Sequence, residues 1–101
     1  MELVLEIYTN KIVLSENGKN VTTLAEKSFS TSRLLVGDFE AAEDCVRRAA
    51  KELGIFGLFK MKPSVIVKPK EKVEGGISPI EDRVFRELAL TIGAKKVSVV
   101  I

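Results

Sequence analysis

Apolar and polar residues alternate along the first quarter of the chain in a pattern that predicts an antiparallel meander of three strands. Residues 2–8 and 11–15 each favour a strand, and the two residues between them suit a tight hairpin. A second turn leads into a third strand over 21–25. The following stretch, 29–36, is mixed in polarity, and we expect at most a short extended piece there.

Two later segments have the three- and four-residue spacing of apolar positions that is typical of amphipathic helices. The first begins after Asp38, a good N-cap, and ends at Gly54. The second begins at Ser78, whose spacing to Glu81 matches a capping box, and ends at Gly93. The apolar positions of the two helices are Phe39, Ala42, Val46, Ala49 and Leu53 in the first and Val84, Phe85, Leu88 and Ile92 in the second.

Two short runs rich in β-branched residues predict the remaining strands. Residues 64–67 form one such run, as expected of a strand covered on both faces, and residues 97–101 form the other. The order is then βββ-α-β-α-β, and its last three elements form a βαβ unit with a right-handed crossover and parallel strands. We therefore expect a single α/β domain over 1–101 with a mixed sheet.

Composition and charge restrict the class of protein. The chain has 101 residues, of which 46% are apolar and 30% charged, the balance of a globular protein. A domain of this length buries only roughly 60 to 65% of the surface that its unfolded chain exposes, so its core is thin and self-association is a fair expectation. The 16 basic and 14 acidic residues are interspersed and give a net charge of +2, which does not favour a nucleic-acid-binding protein.

Residues that carry chemistry are sparse. Cys45 is the only cysteine and the chain has no histidine, which excludes an intramolecular disulfide and a cysteine–histidine metal cluster. The usual general base for a nucleophile is absent as well. The amino terminus does not resemble a secretory signal, and no apolar run approaches the ~20 residues that span a bilayer. We therefore expect a cytoplasmic protein without a metal or cofactor of its own.

The second half of the chain carries short motifs in an ordered series. A proline and an apolar strand at 63–67 are followed by Ile-Glu-Asp-Arg at 80–83, Arg-Glu at 86–87 and Gly-Ala-Lys-Lys-Val at 93–97. These motifs resemble a stretch of the MreB family, the bacterial rod-shape-determining actin homologues. The segment 36–43 resembles the stretch that leads into the first helix of the same fold. The resemblance implies the first ribonuclease H-like subdomain of an actin-like ATPase.

Three departures from the MreB pattern bear on activity. The resemblance implies a phosphate loop in the first hairpin, and at the nearest equivalent, 6–9, a bulky Tyr8 replaces the glycine that lets the backbone approach phosphate. A second phosphate loop and the adenosine pocket belong to the family's chain beyond the position of Ile101. The loop between Pro69 and Ser78 is longer than the family's. Because phosphoryl transfer depends on converging loops and a bound metal, we do not expect this chain alone to hydrolyse a nucleotide.

Glu81 is the one candidate catalytic residue, and it follows from the resemblance. It coincides with the family glutamate that is thought to orient or activate the attacking water, and it would act only once the missing subdomains complete the site. The spacing from Ser78 to Glu81 also explains the residue as a capping-box carboxylate without any chemistry. The capping box is the favoured interpretation.

The segment 54–62 is the most unusual local feature, because large apolar residues are crowded into a predicted loop. The resemblance implies a membrane contact, since MreB carries at this place a Leu-Phe pair that dips into the membrane surface. Apolar side chains beside cations suit an anionic lipid interface. The alternatives are a protein interface and closure of the small core. The candidate contact residues are Ile55, Phe56, Leu58, Phe59, Lys60 and Lys62.

These observations predict a non-enzymatic MreB-like module that acts by binding. The expected partner is a second copy of the chain in a dimer or larger homo-oligomer, a cytoskeletal protein concerned with cell shape, or the inner surface of the membrane. The alternative is a fragment of a longer actin-like ATPase that hydrolyses ATP only with the missing subdomains. A nucleic-acid module on the ribonuclease H-like sheet is the least favoured and predicts a steep salt dependence of binding.

Overall fold

The computed structural model describes residues 2–55 and 62–101, and within them the chain forms one mixed sheet and two helices. The predicted order of elements and the α/β class are confirmed. The elements are β1 (Glu2–Tyr8), β2 (Lys11–Glu16), β3 (Lys19–Leu24), α1 (Phe39–Leu53), β4 (Ser64–Pro69), α2 (Pro79–Thr91) and β5 (Lys96–Val99).

The sheet has the strand order β3-β2-β1-β4-β5, with β1 at its centre. The first three strands are antiparallel neighbours, whereas β1, β4 and β5 run parallel to one another. The carboxyl ends of the three parallel strands therefore lie at one edge, which we call the carboxyl edge of the sheet. Because α1 and α2 each return the chain to the start of the next parallel strand, both helices begin near this edge and end at the opposite one.

The core lies on one face of the sheet. Along β1, every second residue is fully buried, and the register places Leu14 of β2 and Val67 of β4 on either side of Leu5. Both helices pack against this face, α1 over β2 and β3 and α2 over β4 and β5. Phe29, Phe85 and Leu88 are among the largest side chains that complete the core. The core of the described residues is therefore one layer of side chains between the sheet and the two helices.

The opposite face of the sheet is open in the part of the chain that the structure describes. Val4 lies beside Ile66 in the parallel pairing, and both side chains are only half-buried, as is Val13 of β2. The prediction that the apolar run 64–67 forms a strand covered on both faces is therefore wrong. Both described helices lie on the side of Val65 and Val67, so Ile66 points to the uncovered side.

The first helix has the boundaries that its caps predict. Asp38 Oδ1 accepts a hydrogen bond of 3.1 Å from Ala41 N, and this bond lowers the pKa of the Asp38 carboxyl, with the nearby Lys27 ammonium as a further cause. Gly54 ends the helix with φ of 82°, a left-handed conformation that suits glycine. The helix buries Ala42, Val46 and Ala49 completely, as their spacing predicts.

Several strand ends differ from the predictions, because pairing with a neighbour sets them. β3 begins at Lys19 rather than at residue 21, since Lys19 and Asn20 pair with the end of β2. β4 continues to Pro69, which lies opposite Ile7 of β1, and β5 covers 96–99 rather than 97–101. The stretch 29–36 contains no strand. No helix in the described ranges is both long and apolar enough to cross a bilayer.

Candidate functional site

Three loops meet at the carboxyl edge, where ligands usually bind to open α/β sheets. They are the β1–β2 turn at Thr9 and Asn10, the loop 28–35 that precedes α1, and the loop 70–76 that follows β4. Hydrogen bonds join the turn to each of the other two loops. The geometry of this edge decides what the domain can bind there.

Asn10 joins the turn to the loop 28–35. Its Oδ1 accepts hydrogen bonds from Phe29 N at 2.8 Å, Ser30 N at 2.9 Å and Ser28 Oγ at 3.0 Å. Its own backbone N–H donates to Ser30 Oγ at 3.0 Å. Asn10 has φ of 53°, a left-handed conformation that asparagine tolerates better than most residues. One side chain thus serves as the turn residue and as the anchor of the neighbouring loop.

Glu71 joins the same turn to the loop 70–76. The backbone N–H of Thr9 donates a hydrogen bond of 2.6 Å to Glu71 Oε1. This bond is the main reason why the pKa of the Glu71 carboxyl lies below its usual value, and the ammonium groups of Lys72 and Lys11 lower it further. The turn therefore holds an anion that belongs to the protein itself.

No sequence motif pointed directly to Glu71. Its partner Thr9 lies 62 residues away in the chain, and the only signal was the unusual length of the loop between Pro69 and Ser78. A second contact holds the same loop, since Lys72 Nζ donates to Ser32 O at 3.4 Å. The loop 70–76 thus supplies Glu71, which bonds the hairpin turn, and Lys72, which bonds the loop 28–35.

A shallow polar groove of about 710 Å³ lies between the loops 28–35 and 70–76. Cations and carboxylates both line it, so its charge is mixed. The groove is not a simple anion site, because Glu71 and Glu74 lie among its basic residues. The lining residues are Ser32, Arg33, Lys70, Glu71, Lys72 and Glu74.

Glu81, the candidate catalytic residue, is a capping residue in the structure. Glu81 N donates to Ser78 Oγ at 3.1 Å, and Ser78 N donates to Glu81 Oε1 at 2.9 Å. These reciprocal bonds form the capping box that the spacing predicts, with Pro79 in the first turn of α2. The polar groove of the carboxyl edge does not include Glu81.

An apolar groove, which the sequence did not reveal, lies between the loop 28–35 and the first turns of α2. Its volume is about 230 Å³. Leu34 and Ile80 form its rims and are 41% and 77% exposed, whereas Phe85 at its base is 2% exposed. The groove is lined by Leu34, Val36, Gly37, Ile80, Glu81, Val84 and Phe85. A signal existed in the sequence, since Ile80 lies outside the predicted buried stripe of α2.

Only two of the candidate contact residues of the segment 54–62 fall within the described part of the chain. Ile55 is half-buried and packs against the core, so part of its side chain is engaged there. Lys62 is exposed and lies two residues before the start of β4. Phe56, Leu58, Phe59 and Lys60 lie outside the described residues. Contact of this segment with lipid or protein therefore stays a prediction.

Cys45 and Tyr8 have structural environments. Cys45 is fully buried, and its Sγ donates to Thr23 O at 3.4 Å. Desolvation raises the pKa of the Cys45 thiol to about 11, so at neutral pH it is a thiol packed in the core rather than a thiolate nucleophile. Tyr8 lies at the end of β1 on the open face, where Lys11 Nζ is 4.5 Å from the centre of its ring.

Comparison with models of known protein families finds no match for the chain, and comparison with curated proteins finds none. The resemblance to MreB consequently stays a prediction from the motifs. Within the described ranges, no cluster of three or more histidine, cysteine or carboxylate residues could hold a metal ion.

Proposed function

We propose that the chain is a non-enzymatic binding module of MreB-like, actin-related fold that acts by association. Its partner is a second copy of the chain, a cytoskeletal protein or the surface of a membrane. The order of strands and helices supports this proposal, because an antiparallel meander followed by two helix-linked parallel strands is the order that the resemblance implies.

The hydrogen bond between Thr9 and Glu71 is the observation that carries the proposal. According to the resemblance, this hairpin is the place where a nucleotide phosphate would meet the backbone. Here the Thr9 N–H already donates to a carboxylate, and a phosphate approaching the turn would meet its negative charge. Tyr8 adds a side chain where close approach needs glycine. An internal carboxylate thus replaces an external anion at the turn.

The role of Glu81 in the capping box supports the same proposal. One of its carboxylate oxygens accepts from the backbone of Ser78, and its backbone donates to the Ser78 hydroxyl. A residue that holds a helix start in this way has a structural function that needs no substrate. Removing its negative charge should therefore affect the helix rather than any reaction.

A measurement of nucleotide binding distinguishes a non-enzymatic binding module from an ATPase. We expect no saturable binding of ATP with magnesium to the wild-type chain at micromolar nucleotide, measured by titration calorimetry. The variant Glu71→Gln removes the internal negative charge and keeps an amide oxygen that Thr9 can bond. If wild type binds ATP with a micromolar dissociation constant, the proposal is wrong. If only Glu71→Gln binds, the carboxylate is the reason why wild type does not.

The open face of the sheet favours one second candidate, a piece of a longer actin-like ATPase in which Glu81 becomes catalytic. Half-buried apolar residues on that face, Val4, Val13 and Ile66, would then pack against further parts of the same protein. The discriminating observation is whether the reading frame continues beyond Ile101 into a Glu-Pro and glycine-rich segment. A stop codon directly after Ile101 would eliminate this candidate.

A further inference from the structure

We infer that two copies of the chain pack the open faces of their sheets against each other, about a two-fold axis that runs between β1 and β4 and parallel to them. This inference rests on the self-association named in the proposed function and identifies the surface and the symmetry of the contact. It is carried by the arrangement of apolar and charged side chains on the open face and by the area of that face.

Apolar and oppositely charged side chains stand side by side at the centre of the open face. The register of β1 with β4 places Val4 beside Ile66 and Glu6 beside Lys68. All four residues are half-buried. They lie on the face opposite the core, because side chains alternate along a strand and the residues between them are fully buried. The face thus has an apolar pair and, two residues further along both strands, a pair of opposite charges.

The charges of Glu6 and Lys68 are available to a partner. No ion pair among the described residues includes either side chain, although their strands are neighbours. An opposite charge about 4 Å away stabilises a charge that is partly removed from water more than it stabilises one in bulk water. A second copy can supply an opposite charge to each side chain, because it carries the same pair.

A two-fold axis between β1 and β4 gives each of these side chains a complementary partner. It places β1 of one copy over β4 of the other, so that Glu6 faces Lys68 of the second copy and Lys68 faces Glu6 of the second copy. Val4 and Ile66 face each other across the interface in the same way. Because every interaction occurs twice in an isologous contact, two contacts between opposite charges lie beside two apolar ones.

Other two-fold axes give poorer contacts. An axis along β1 would place Glu6 against Glu6 of the second copy, and like charges across an interface are destabilising. An axis perpendicular to the strands would place Val4 against Glu6 and Ile66 against Lys68, which removes both charges from water without an opposite partner. The pattern of side chains therefore favours the axis between β1 and β4.

The area of the open face suits a weak dimer. Five strands about 4.8 Å apart and about six residues long, at about 3.3 Å per residue, cover at most roughly 24 Å by 20 Å. The footprint is then about 480 Å² on each copy and about 960 Å² in total, close to the smallest area of a specific interface, about 1,000 Å². Aligned sheets keep their strands within about 30° of each other, so the contacts nearest the axis are retained. We therefore expect a reversible dimer and no larger assembly.

Sedimentation equilibrium of the full chain tests the inference with two charge reversals. Glu6→Lys leaves two lysines at the centre of the face and Lys68→Glu leaves two glutamates, so like charges meet across the axis in either variant. We expect wild type to form a dimer and each reversal to raise its dissociation constant at least about tenfold. An equimolar mixture of the two variants should dimerise like wild type, because each lysine then meets a glutamate.

Control variants show whether a charge reversal is disruptive in itself. Glu87 is exposed on α2, which packs on the other side of the sheet, so Glu87→Lys should dimerise like wild type. The double variant Glu6→Lys with Lys68→Glu restores opposite charges and should dimerise as well. Glu6→Gln and Lys68→Met create no repulsion within a copy, and each should weaken the dimer even if a reversal prevents folding. Circular dichroism verifies the folding of every variant.

The outcomes separate this contact from self-association in general. If wild type dimerises and neither the reversals nor the neutral variants change its dissociation constant, self-association uses another surface and this contact is wrong. If the reversals weaken the dimer but their mixture does not restore it, the axis between β1 and β4 is wrong. Assembly beyond a dimer contradicts a closed two-fold contact. A wild type that stays monomeric up to millimolar concentration overturns self-association itself.

Discussion

At the scale of single residues, a few polar side chains fix the loops of the carboxyl edge. Asn10 provides three hydrogen bonds to the loop 28–35, and Glu71 binds the turn from the other side. In the described part of the chain, no buried side-chain nitrogen or oxygen lacks a partner. The loops are thus ordered by satisfied polar contacts at the place where a ligand site would otherwise form.

We expect the replacement of Asn10 to destabilise the domain more than substitution of a turn residue usually does. Asn10→Ala removes the acceptor of three hydrogen bonds, two of them from backbone N–H groups, and places alanine at φ of 53°. We expect the free energy of unfolding to fall by about 2 to 4 kcal/mol, from hydrogen bonds worth about 1 kcal/mol each and backbone strain of about 1 kcal/mol. Urea unfolding measures the loss.

Two further variants separate the side chain from the backbone. Asn10→Gly tolerates the positive φ but has no acceptor, so it should recover only the strain. Asn10→Asp keeps an acceptor oxygen and should retain most of the stability. If glycine proves as stable as asparagine, the three hydrogen bonds contribute nothing and our account of this residue fails.

The sequence predicted a turn at residues 9–10 but could not predict its partners. A two-residue connection between strands is a local signal, whereas Phe29 N is 19 residues from Asn10 and Glu71 is 62 residues from Thr9. Such contacts arise from the strand order, which brings β4 beside β1. Polar residues in irregular loops carry no periodicity, so the site at the carboxyl edge became visible only in the structure.

At the scale of elements, helix ends were predicted better than strand ends, because helix caps are encoded locally. Asp38 and Ser78 cap the helices as expected, and Gly54 and Gly93 follow them with positive φ. A strand end depends on whether a neighbour is present to pair with. Polar Lys19, for instance, belongs to β3 only because Glu16 lies opposite.

The capping box of α2 gives a test that also bears on the role of Glu81. Ser78→Ala removes the acceptor for Glu81 N and should lower the free energy of unfolding by about 1 kcal/mol. Glu81→Gln keeps an oxygen that can accept from Ser78 N, so it should remain within about 0.5 kcal/mol of wild type. Thermal and urea unfolding measure both. A larger loss for Glu81→Gln than for Ser78→Ala would mean that the charge has a role outside the capping box.

At the scale of the whole molecule, the sequence predicted the layers but not which face stays open. The run Val65-Ile66-Val67 is apolar throughout, which is typical of a strand between two helix layers. The structure places both described helices on one side, leaving Ile66 beside Val4 on the other. The hydrophobic pattern predicts that a strand has apolar residues on both faces. It does not predict whether the residues that cover each face belong to the same chain.

Two neighbouring residues of β4 should therefore respond differently to truncation. Val67 is fully buried in the core, and Val67→Ala removes two methyl groups, so we expect a loss of about 2 kcal/mol in the free energy of unfolding. Ile66→Ala removes more atoms but from a half-buried position, and its loss should be only about 1 kcal/mol in dilute protein. Urea unfolding at several protein concentrations measures both. If Ile66→Ala costs as much as Val67→Ala, with a loss that grows with protein concentration, a second copy covers the open face.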